Sequence, residues 1–288
     1  MRNIILLGHK SSIGNSFYSA FKNKYNFVLI DKPTINANQK NSLKNIKTKI
    51  NIKKKYILIN CIGMMGADKS KKEIDKFLRV NGIFPIEPIF LKNRINISKY
   101  IFLSSETIYG KGINKKENDS KKPMHPYSVS KLFAEENIKK SIAITNFKDL
   151  KVTILRIPVV IFQKQKFQNT LTAIYNDCKN SNKITIFGNG KHLRKYIYFS
   201  DLNYLINKIV KKNQNKNIEI FNVPGVEASS IQINEIIQKI LKIRKPLNFI
   251  KSNKSFSLTS NSKKFEKGFG NTKIKNLYQI INHYNQVQ

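Results

Sequence analysis

Short apolar runs alternate with helical patterns through the first half of the chain, and this alternation constrains the fold more than any other feature. The runs are Asn3–Leu7, Phe27–Ile30, Tyr56–Ile59, Tyr100–Ser104 and Lys151–Leu155. Each is short enough for one buried strand, and apolar residues at helical spacing follow several of them. Alternating strands and helices predict a parallel sheet with right-handed crossovers. The sequence therefore predicts an α/β fold.

Length and composition limit the class of protein. The 288 residues, of which 40% are hydrophobic, can bury a sizeable core. No apolar stretch is long enough to cross a bilayer, and no secretory signal precedes the first apolar run, so a cytoplasmic location is expected. Cys61 and Cys178 suit a reducing compartment, and neither has a partner at metal-ligand spacing. No metal site is predicted.

The formal net charge of +36 raises the possibility of a nucleic-acid partner. Only six of the 53 basic residues are arginines, whereas readers of bases and phosphates favour the arginine fork. The joint abundance of Lys, Asn and Ile instead indicates A- and T-rich codons. We therefore expect nonspecific attraction to nucleic acid at low salt and no specific nucleic-acid partner.

Residues 99–131 carry the candidate catalytic groups. Ser105 ends an apolar run, and Pro126 opens a helical pattern in which Tyr127 and Lys131 share one face. An ammonium near a phenol stabilises the phenolate and lowers the phenol pKa from its usual value of about 10. Tyr127 and Ser105 would then serve a carbonyl/alcohol interconversion as proton-transfer group and hydrogen-bond donor.

Spacing alone does not single out Tyr127, because three other Tyr-x-x-x-Lys pairs occur: Tyr18/Lys22, Tyr175/Lys179 and Tyr204/Lys208. Only the pair at Tyr127 also follows a strand that ends in Ser104-Ser105-Glu106-Thr107-Ile108-Tyr109-Gly110. This conjunction resembles the extended short-chain dehydrogenase/reductases of the NAD-dependent epimerase/dehydratase family, which modify nucleotide-linked sugars. The resemblance implies a Rossmann-like, doubly wound parallel sheet with a smaller C-terminal substrate lobe.

The resemblance assigns a cofactor site to the turns that follow the strands. The first turn holds Gly8, Ser11, Ser12, Ile13 and Gly14, with Ser11 standing where the family usually has its middle glycine. The other expected cofactor residues are Asp31, Cys61, Ile62, Gly63, Asn81, Pro158 and the catalytic Tyr127 and Lys131. Asp31 closes the second strand, where an acid accepts hydrogen bonds from the adenosine ribose and favours NAD over NADP. Lys32 beside it keeps NADP possible.

The chain is divided by this resemblance into a dinucleotide-binding domain, residues 1–158, and a substrate lobe, residues 159–288, with 196–223 returning to the first domain. Arg194 lies in a segment similar to a family signature whose arginine binds the nucleotide diphosphate. Ser105, Glu106 and Thr107 are the other expected substrate contacts. The lysine- and serine-rich tract 251–267 predicts a loop before a last helix near Ile274–His283.

Departures from the family patterns narrow the predicted activity. The 4,6-dehydratases need an Asp-Glu pair after the catalytic hydroxyl residue, and this chain has Glu106-Thr107, which disfavours dehydration. A 4-epimerase or a 4-keto reductase for a nucleotide-linked sugar remains, for example in surface-polysaccharide synthesis. A non-catalytic dinucleotide-binding or RNA-binding relative is the alternative. A homodimer is expected, because dimers built through the helix of Tyr127 are common in the family.

Overall fold

The structure is a computed structural model that describes residues 1–43, 46, 50–145, 147–164, 168–252, 255–270 and 272–288. The chain divides into two compact units. The first consists of Met1–Ile108, Lys121–Ile157 and Asn203–Phe221, and the second of Tyr109–Ser120, Pro158–Leu202 and Asn222–Gln288.

In chain order the strands are β1 (Asn3–Leu7), β2 (Asn26–Ile30), β3 (Tyr56–Asn60), β4 (Ile97–Ser105), β5 (Gly112–Lys115), β6 (Lys151–Ile157), β7 (Val159–Ile161), β8 (Ile184–Phe187), β9 (Leu193–Tyr198), β10 (Ile218–Asn222), β11 (Val226–Ser229), β12 (Leu247–Ile250) and β13 (Leu258–Ser260). The α-helices are α1 (Ser12–Phe21), α2 (Ala67–Lys72), α3 (Ile74–Phe77), α4 (Glu87–Phe90), α5 (Pro126–Thr145), α6 (Thr170–Asn180), α7 (Phe199–Lys211), α8 (Ser230–Leu241), α9 (Lys263–Phe269) and α10 (Leu277–Asn285).

The first unit is built on a six-stranded sheet with the order β10-β6-β4-β3-β1-β2. β1 pairs in parallel with both β2 and β3, so that Ile5 faces Val28 on one side and Leu58 on the other. β3–β4 and β4–β6 are also parallel. All five residues of β3 are buried, as befits a central strand covered on both faces. The predicted parallel sheet is confirmed.

Helices of the first unit differ in regularity. α5 is continuous over 20 residues and begins at Pro126, a residue whose fixed φ suits the first helical position. The segment before β4 is broken, because a π-helix over Leu78–Ile83 and a 3-10 turn over Phe84–Ile86 separate α3 from α4. Pro85 and Pro88 lie in that stretch, and each removes a backbone donor that a continuous α-helix requires.

The second unit contains a five-stranded sheet in which β11, β9, β13 and β5 are neighbours in that order and β7 pairs with β9. A separate pair joins β8 and β12 in parallel. The loop predicted over 251–267 is wrong in part, since β13 and α9 lie there. β13 pairs with β5 and β9, and its three residues are buried, so tertiary pairing makes a strand of a mostly polar stretch. α10 confirms the predicted last helix.

Within the part of the chain that the structure describes, none of the helices combines the length and the apolar character that a membrane span requires.

Candidate active site

The first site element is the turn that joins β1 to α1. Gly8 has φ +79°, and a Cβ there would lie 2.8 Å from the backbone of Cys61 and of Ile62. A Cβ on Gly14 would lie 2.2 Å from the Gly8 carbonyl oxygen. Both positions therefore require glycine, which holds the turn tightly against the end of β3. This is the geometry that presents backbone N–H groups at a helix N-terminus to an anion.

Ser11 occupies this turn without strain. Its φ of −69° and ψ of 158° are extended values that any residue adopts, and its side chain accepts a hydrogen bond from the Gly14 N–H at 3.1 Å. Ser11 is thus the N-cap of α1, with Ser12 and Ile13 in the first helical turn. The serine that departs from the family pattern has a structural function of its own.

Asp31 follows β2 beside the same turn. Its carboxylate accepts hydrogen bonds from the backbone N–H groups of Lys10 and Lys32, each at 2.9 Å, and lies 3.9 Å from Nδ1 of His9. The side chain keeps 19% of its surface exposed. A carboxylate has about four acceptor sites, so two backbone bonds leave capacity for a ribose hydroxyl.

The turn after β3 is held by Asn81. The Asn81 side chain accepts a hydrogen bond from the Met64 N–H at 2.8 Å and donates to the Met64 carbonyl at 3.0 Å. A Cβ on Gly63 would lie 3.3 Å from the Asn81 amide oxygen and 3.4 Å from Nζ of Lys131. The structure therefore brings Gly63, Asn81 and Lys131 together, although they are distant in the sequence. Cys61 precedes them and is buried.

Ser105 and Tyr127 meet at the carboxyl end of β4. The Ser105 hydroxyl is near enough to the Tyr127 phenol to lower its pKa, and Ser105 Oγ lies 2.9 Å from Thr107 Oγ1. The Tyr127 ring stacks on His125 at a centroid distance of 5.8 Å and meets the edge of Phe77 at 6.4 Å. These contacts fix the orientation of the phenol toward Ser105.

The protonation energetics of Tyr127 differ from the expectation. Burial raises the pKa of Tyr127, and the hydrogen bond from Ser105 lowers it by less. Lys131 is itself buried, which lowers its pKa to about 8, while Cys61 and Glu135 oppose that shift. The Lys131 ammonium donates to the Leu103 carbonyl at 2.9 Å. In this structure burial therefore raises the phenol pKa, and the group that opposes the shift is Ser105 and not Lys131.

A buried ion pair behind β4 was missed by the sequence reasoning. Arg156 and Glu135 are both fully buried, and Arg156 Nη2 donates to Glu135 Oε2 at 2.7 Å while its Nε donates to Oε1 at 3.1 Å. Ser104 donates to the same carboxylate at 2.5 Å. Because side chains alternate along a strand, Ser104 faces this pair and Ser105 faces Tyr127. The sequence offers one signal for the burial of Glu135: it lies one helical turn from Lys131 and therefore on the same face of the helix.

The remaining predicted residues divide between the two units. Glu106 is buried and Thr107 is half-buried in the first unit. Pro158 and Arg194 belong to the second unit, where the Arg194 guanidinium lies 4.3 Å from the ring centroid of Phe256. The lysine that follows, Lys195, is buried and donates to the carbonyls of Val223 and Ser260.

The other Tyr-x-x-x-Lys pairs differ in their surroundings from the pair at Tyr127. Nζ of Lys208 lies over the Tyr204 ring at 5.2 Å, and Nζ of Lys179 lies over the Tyr175 ring at 5.1 Å. Each is a contact between neighbours on one helix. Among the described residues, no group of three or more His, Cys, Asp or Glu side chains is arranged to hold a metal ion.

The chain shares slightly more than a quarter of its aligned residues with each of two relatives. The chain is similar to a dTDP-D-glucose 4,6-dehydratase of Dictyostelium discoideum, with 27% identity over 201 residues, which are 65% of this chain and 44% of that protein. The match thus spans less than half of that relative. A putative UDP-glucose 4-epimerase of Methanocaldococcus jannaschii is 26% identical over 264 residues, covering 84% of this chain and 83% of that protein.

Solved structures support the fold, and a sequence model of a protein family identifies the family of this chain. A UDP-glucuronic acid 4-epimerase from Bacillus cereus, solved with UDP-glucuronic acid and NAD, superposes with a TM-score of 0.81 at 18% identity, covering 99% of this chain and 98% of that one. The model of the NAD dependent epimerase/dehydratase family matches residues 4–224. With the glycine turn and the Ser105/Tyr127/Lys131 arrangement in place, the chain belongs to the NAD dependent epimerase/dehydratase family.

Proposed function

We propose that this protein is an NAD-dependent enzyme that oxidises or reduces a nucleotide-linked sugar at C4, as a 4-epimerase or a 4-keto reductase. The observation that carries the proposal is that Ser105, at the carboxyl end of β4, is near enough to the Tyr127 phenol to lower its pKa, with Lys131 buried one helical turn from Tyr127. A hydroxyl donor, a phenol and an ammonium are the groups that proton transfer to a sugar oxygen requires.

The first unit has the features that a dinucleotide requires. The tight turn at Gly8 and Gly14 leads into the N-terminus of α1, where backbone N–H groups would hold the pyrophosphate. The Asp31 carboxylate would accept hydrogen bonds from the adenosine ribose. Lys131, close to Gly63 and Asn81, would hold the nicotinamide ribose. When bound, the nicotinamide supplies hydride transfer to and from the sugar carbon.

Each catalytic side chain has a separate task in the proposed reaction. Tyr127 removes the proton from the sugar hydroxyl during oxidation and returns it during reduction. Ser105 donates a hydrogen bond to the same oxygen and stabilises the charge that develops there. The raised pKa of Tyr127 favours its neutral, proton-donating form at pH 7. The positive charge of Lys131 favours the phenolate when the proton leaves.

Thr107 argues against dehydration as the main activity. Elimination of water from the sugar requires an acid and a base beside the catalytic hydroxyl residue, and a threonine hydroxyl is a poor base near pH 7. Thr107 Oγ1 instead lies 2.9 Å from Ser105 Oγ, where it would orient that hydroxyl. We infer that Thr107 supports the hydrogen bond that Ser105 makes to substrate and has no proton-transfer task of its own.

Arg194 is the proposed contact for the substrate diphosphate. Its guanidinium stacks on Phe256, and Nζ of Lys111 lies 5.7 Å from the centroid of the same ring. A stacked guanidinium keeps its N–H edge available in a defined orientation, which suits bidentate contacts to phosphate oxygens. Replacement by lysine would keep the charge and lose that geometry, so Arg194→Lys is expected to raise KM more than it lowers kcat.

The primary test is Tyr127→Phe, assayed with a panel of nucleotide sugars. Loss of the hydroxyl removes the proton-transfer group and keeps the ring, so turnover should fall by at least about 100-fold while NADH affinity stays close to that of wild type. Tyr204→Phe is the matched control, because Tyr204 also belongs to a Tyr-x-x-x-Lys pair. Wild-type turnover in Tyr127→Phe would show that the catalytic assignment is wrong.

Epimerase and reductase differ in what they do with the hydride. An epimerase returns it to the other face of the same carbon, so NADH is not consumed over a cycle. A reductase uses one NADH for each product. Absorbance at the NADH band, followed with 4-keto and 4-hydroxy nucleotide sugars, separates the two: stoichiometric loss means a reductase, and formation of an isomer without net loss means an epimerase.

A homodimer built on α5 is part of the proposal. Val129 and Phe133 lie one turn apart on this helix and are each 43% exposed, and Ile83 and Phe90 on the preceding segment are 47% and 52% exposed. Several exposed apolar side chains on neighbouring elements indicate a partner surface. Light scattering should give a dimer for wild type and a monomer for Phe133→Glu, whereas Tyr278→Glu, at an exposed aromatic of the second unit, should stay dimeric.

A further inference from the structure

The first unit has a cleft at the end of its sheet opposite to the catalytic residues. Its volume is about 540 Å³, and it is lined by residues at the amino ends of β1, β3, β4 and β6 and by the end of α7. Ser105 and the Gly8 turn follow the carboxyl ends of these strands. A five-residue strand is about 16 Å long, so the cleft is separate from the cofactor turn.

The cleft carries a concentration of positive charge. Of the fourteen lining residues that the structure describes, five are basic, twice the proportion in the whole chain. They are Arg2, Lys55, Lys99, Lys151 and Lys212. Asp149 also lines the cleft and is paired with Lys92 at 2.6 Å. A concave surface with a strong excess of one sign of charge focuses its field into the cleft.

Neutral oxygens hold three of these cations in place. The Lys99 ammonium, on a side chain that is almost fully buried, donates to the carbonyls of Ile209 at 2.8 Å and of Lys212 at 2.5 Å. Arg2 donates to the Lys211 carbonyl at 3.2 Å, and Lys151 donates to the Asn217 amide oxygen at 2.9 Å. Carbonyl and amide oxygens orient a cation without cancelling its charge. An anion in the cleft would therefore meet positive groups that are already positioned.

The pKa of Lys99 shows that the charged form of this side chain is destabilised in the cleft. Burial lowers the pKa of Lys99 to about 8, the charge of Arg2 adds to the effect, Glu219 opposes it, and Lys212 contributes a smaller lowering. Like charges close together in a partly buried site raise the free energy of the charged state. A bound anion would relieve that repulsion.

We propose that this cleft binds a compact, multivalent phosphoanion, such as an oligophosphate or the phosphates of a free nucleotide. Arginine and lysine donors together suit phosphate oxygens. The volume lies within the range of about 300–1,000 Å³ that is usual for small-molecule sites. The site is independent of the proposed sugar chemistry, because its residues lie at the amino ends of the strands.

Calorimetric titration with inorganic tripolyphosphate at about 0.15 M NaCl tests the site, with and without saturating NADH. One equivalent should bind in both conditions. Arg2→Gln/Lys151→Gln should weaken binding by at least about tenfold, since it removes two charged donors. The matched control, Lys183→Gln/Lys239→Gln, removes the same charge from exposed positions of the second unit and should stay within about twofold of wild type. Circular dichroism and NADH affinity verify the fold of each variant.

Four outcomes would overturn the proposal. Equal weakening in both double variants would mean diffuse attraction by the net charge. Displacement of tripolyphosphate by NADH would place it in the cofactor turn. Tighter binding of a 15-residue oligothymidylate, with the same sensitivity to Arg2→Gln/Lys151→Gln, would assign the cleft to a nucleic-acid strand and not to a compact anion. Absence of binding at millimolar tripolyphosphate would likewise reject it.

Discussion

Removal of Arg156 should be among the most damaging single substitutions in the first unit. Arg156→Met removes the cation that is hydrogen-bonded to the Glu135 carboxylate, which is 0% exposed. The Ser104 hydroxyl still donates a hydrogen bond to that carboxylate. Breaking a buried pair in this way costs about 3–5 kcal/mol, because the buried carboxylate loses the cation that is hydrogen-bonded to it. For a unit of this size the loss corresponds to a Tm decrease of roughly 6–20 °C.

The same helix offers a matched control. Lys139 and Glu136 on α5 form an ion pair at 2.9 Å, close in length to the 2.7 Å of the buried pair, but their side chains are 32% and 47% exposed. Lys139→Met should therefore cost less than about 1 kcal/mol. Thermal unfolding followed by circular dichroism compares the two variants, and the larger decrease in Tm is expected for Arg156→Met.

A double variant separates burial from pairing. Glu135→Met/Arg156→Met removes both charges and should be less destabilised than Arg156→Met alone, since apolar side chains of similar volume can replace a buried pair at little net cost. If Arg156→Met unfolds at the same temperature as Lys139→Met, or if the double variant is the less stable of the two Arg156 variants, the reasoning about desolvation is wrong.

Two further predictions concern ionisable groups of the candidate site. NADH should bind at least about tenfold more tightly than NADPH in a fluorescence titration, because the Asp31 carboxylate repels a 2′-phosphate, and Asp31→Asn should reduce that ratio; a preference for NADPH would refute the ribose assignment. The pKa of Lys131, about 8 in the fold and about 10.4 in the unfolded chain, means that the unfolded state binds more protons between these values. The stability of wild type relative to Lys131→Met should therefore rise with pH from 8 to 10, by up to about 1.4 kcal/mol per pH unit in urea titrations, and a constant difference would contradict the burial argument.

The parallel sheet and the family could be predicted from the sequence because both depend on local patterns. Five apolar runs separated by helical segments specify buried parallel strands wherever the connections are long enough for crossovers. Ser105 lies at the end of a strand, and Tyr127 and Lys131 lie one helical turn apart. The topology typical of the family is enough to bring these three residues together. The interruption of the helical segment near Pro85 and Pro88 also has a local cause, since each proline lacks a backbone N–H donor.

Properties that depend on residues distant in the chain were decided only by the tertiary structure. Surrounding elements bury the Tyr127 phenol and the Lys131 ammonium. This burial determines the direction of both pKa shifts. The polar tract around Leu258 becomes β13 because two distant strands supply its hydrogen bonds. Arg156 finds Glu135 across a strand and a helix. Sequence patterns report periodicity over a few residues, whereas desolvation and charge pairing depend on which distant segments the fold brings into contact.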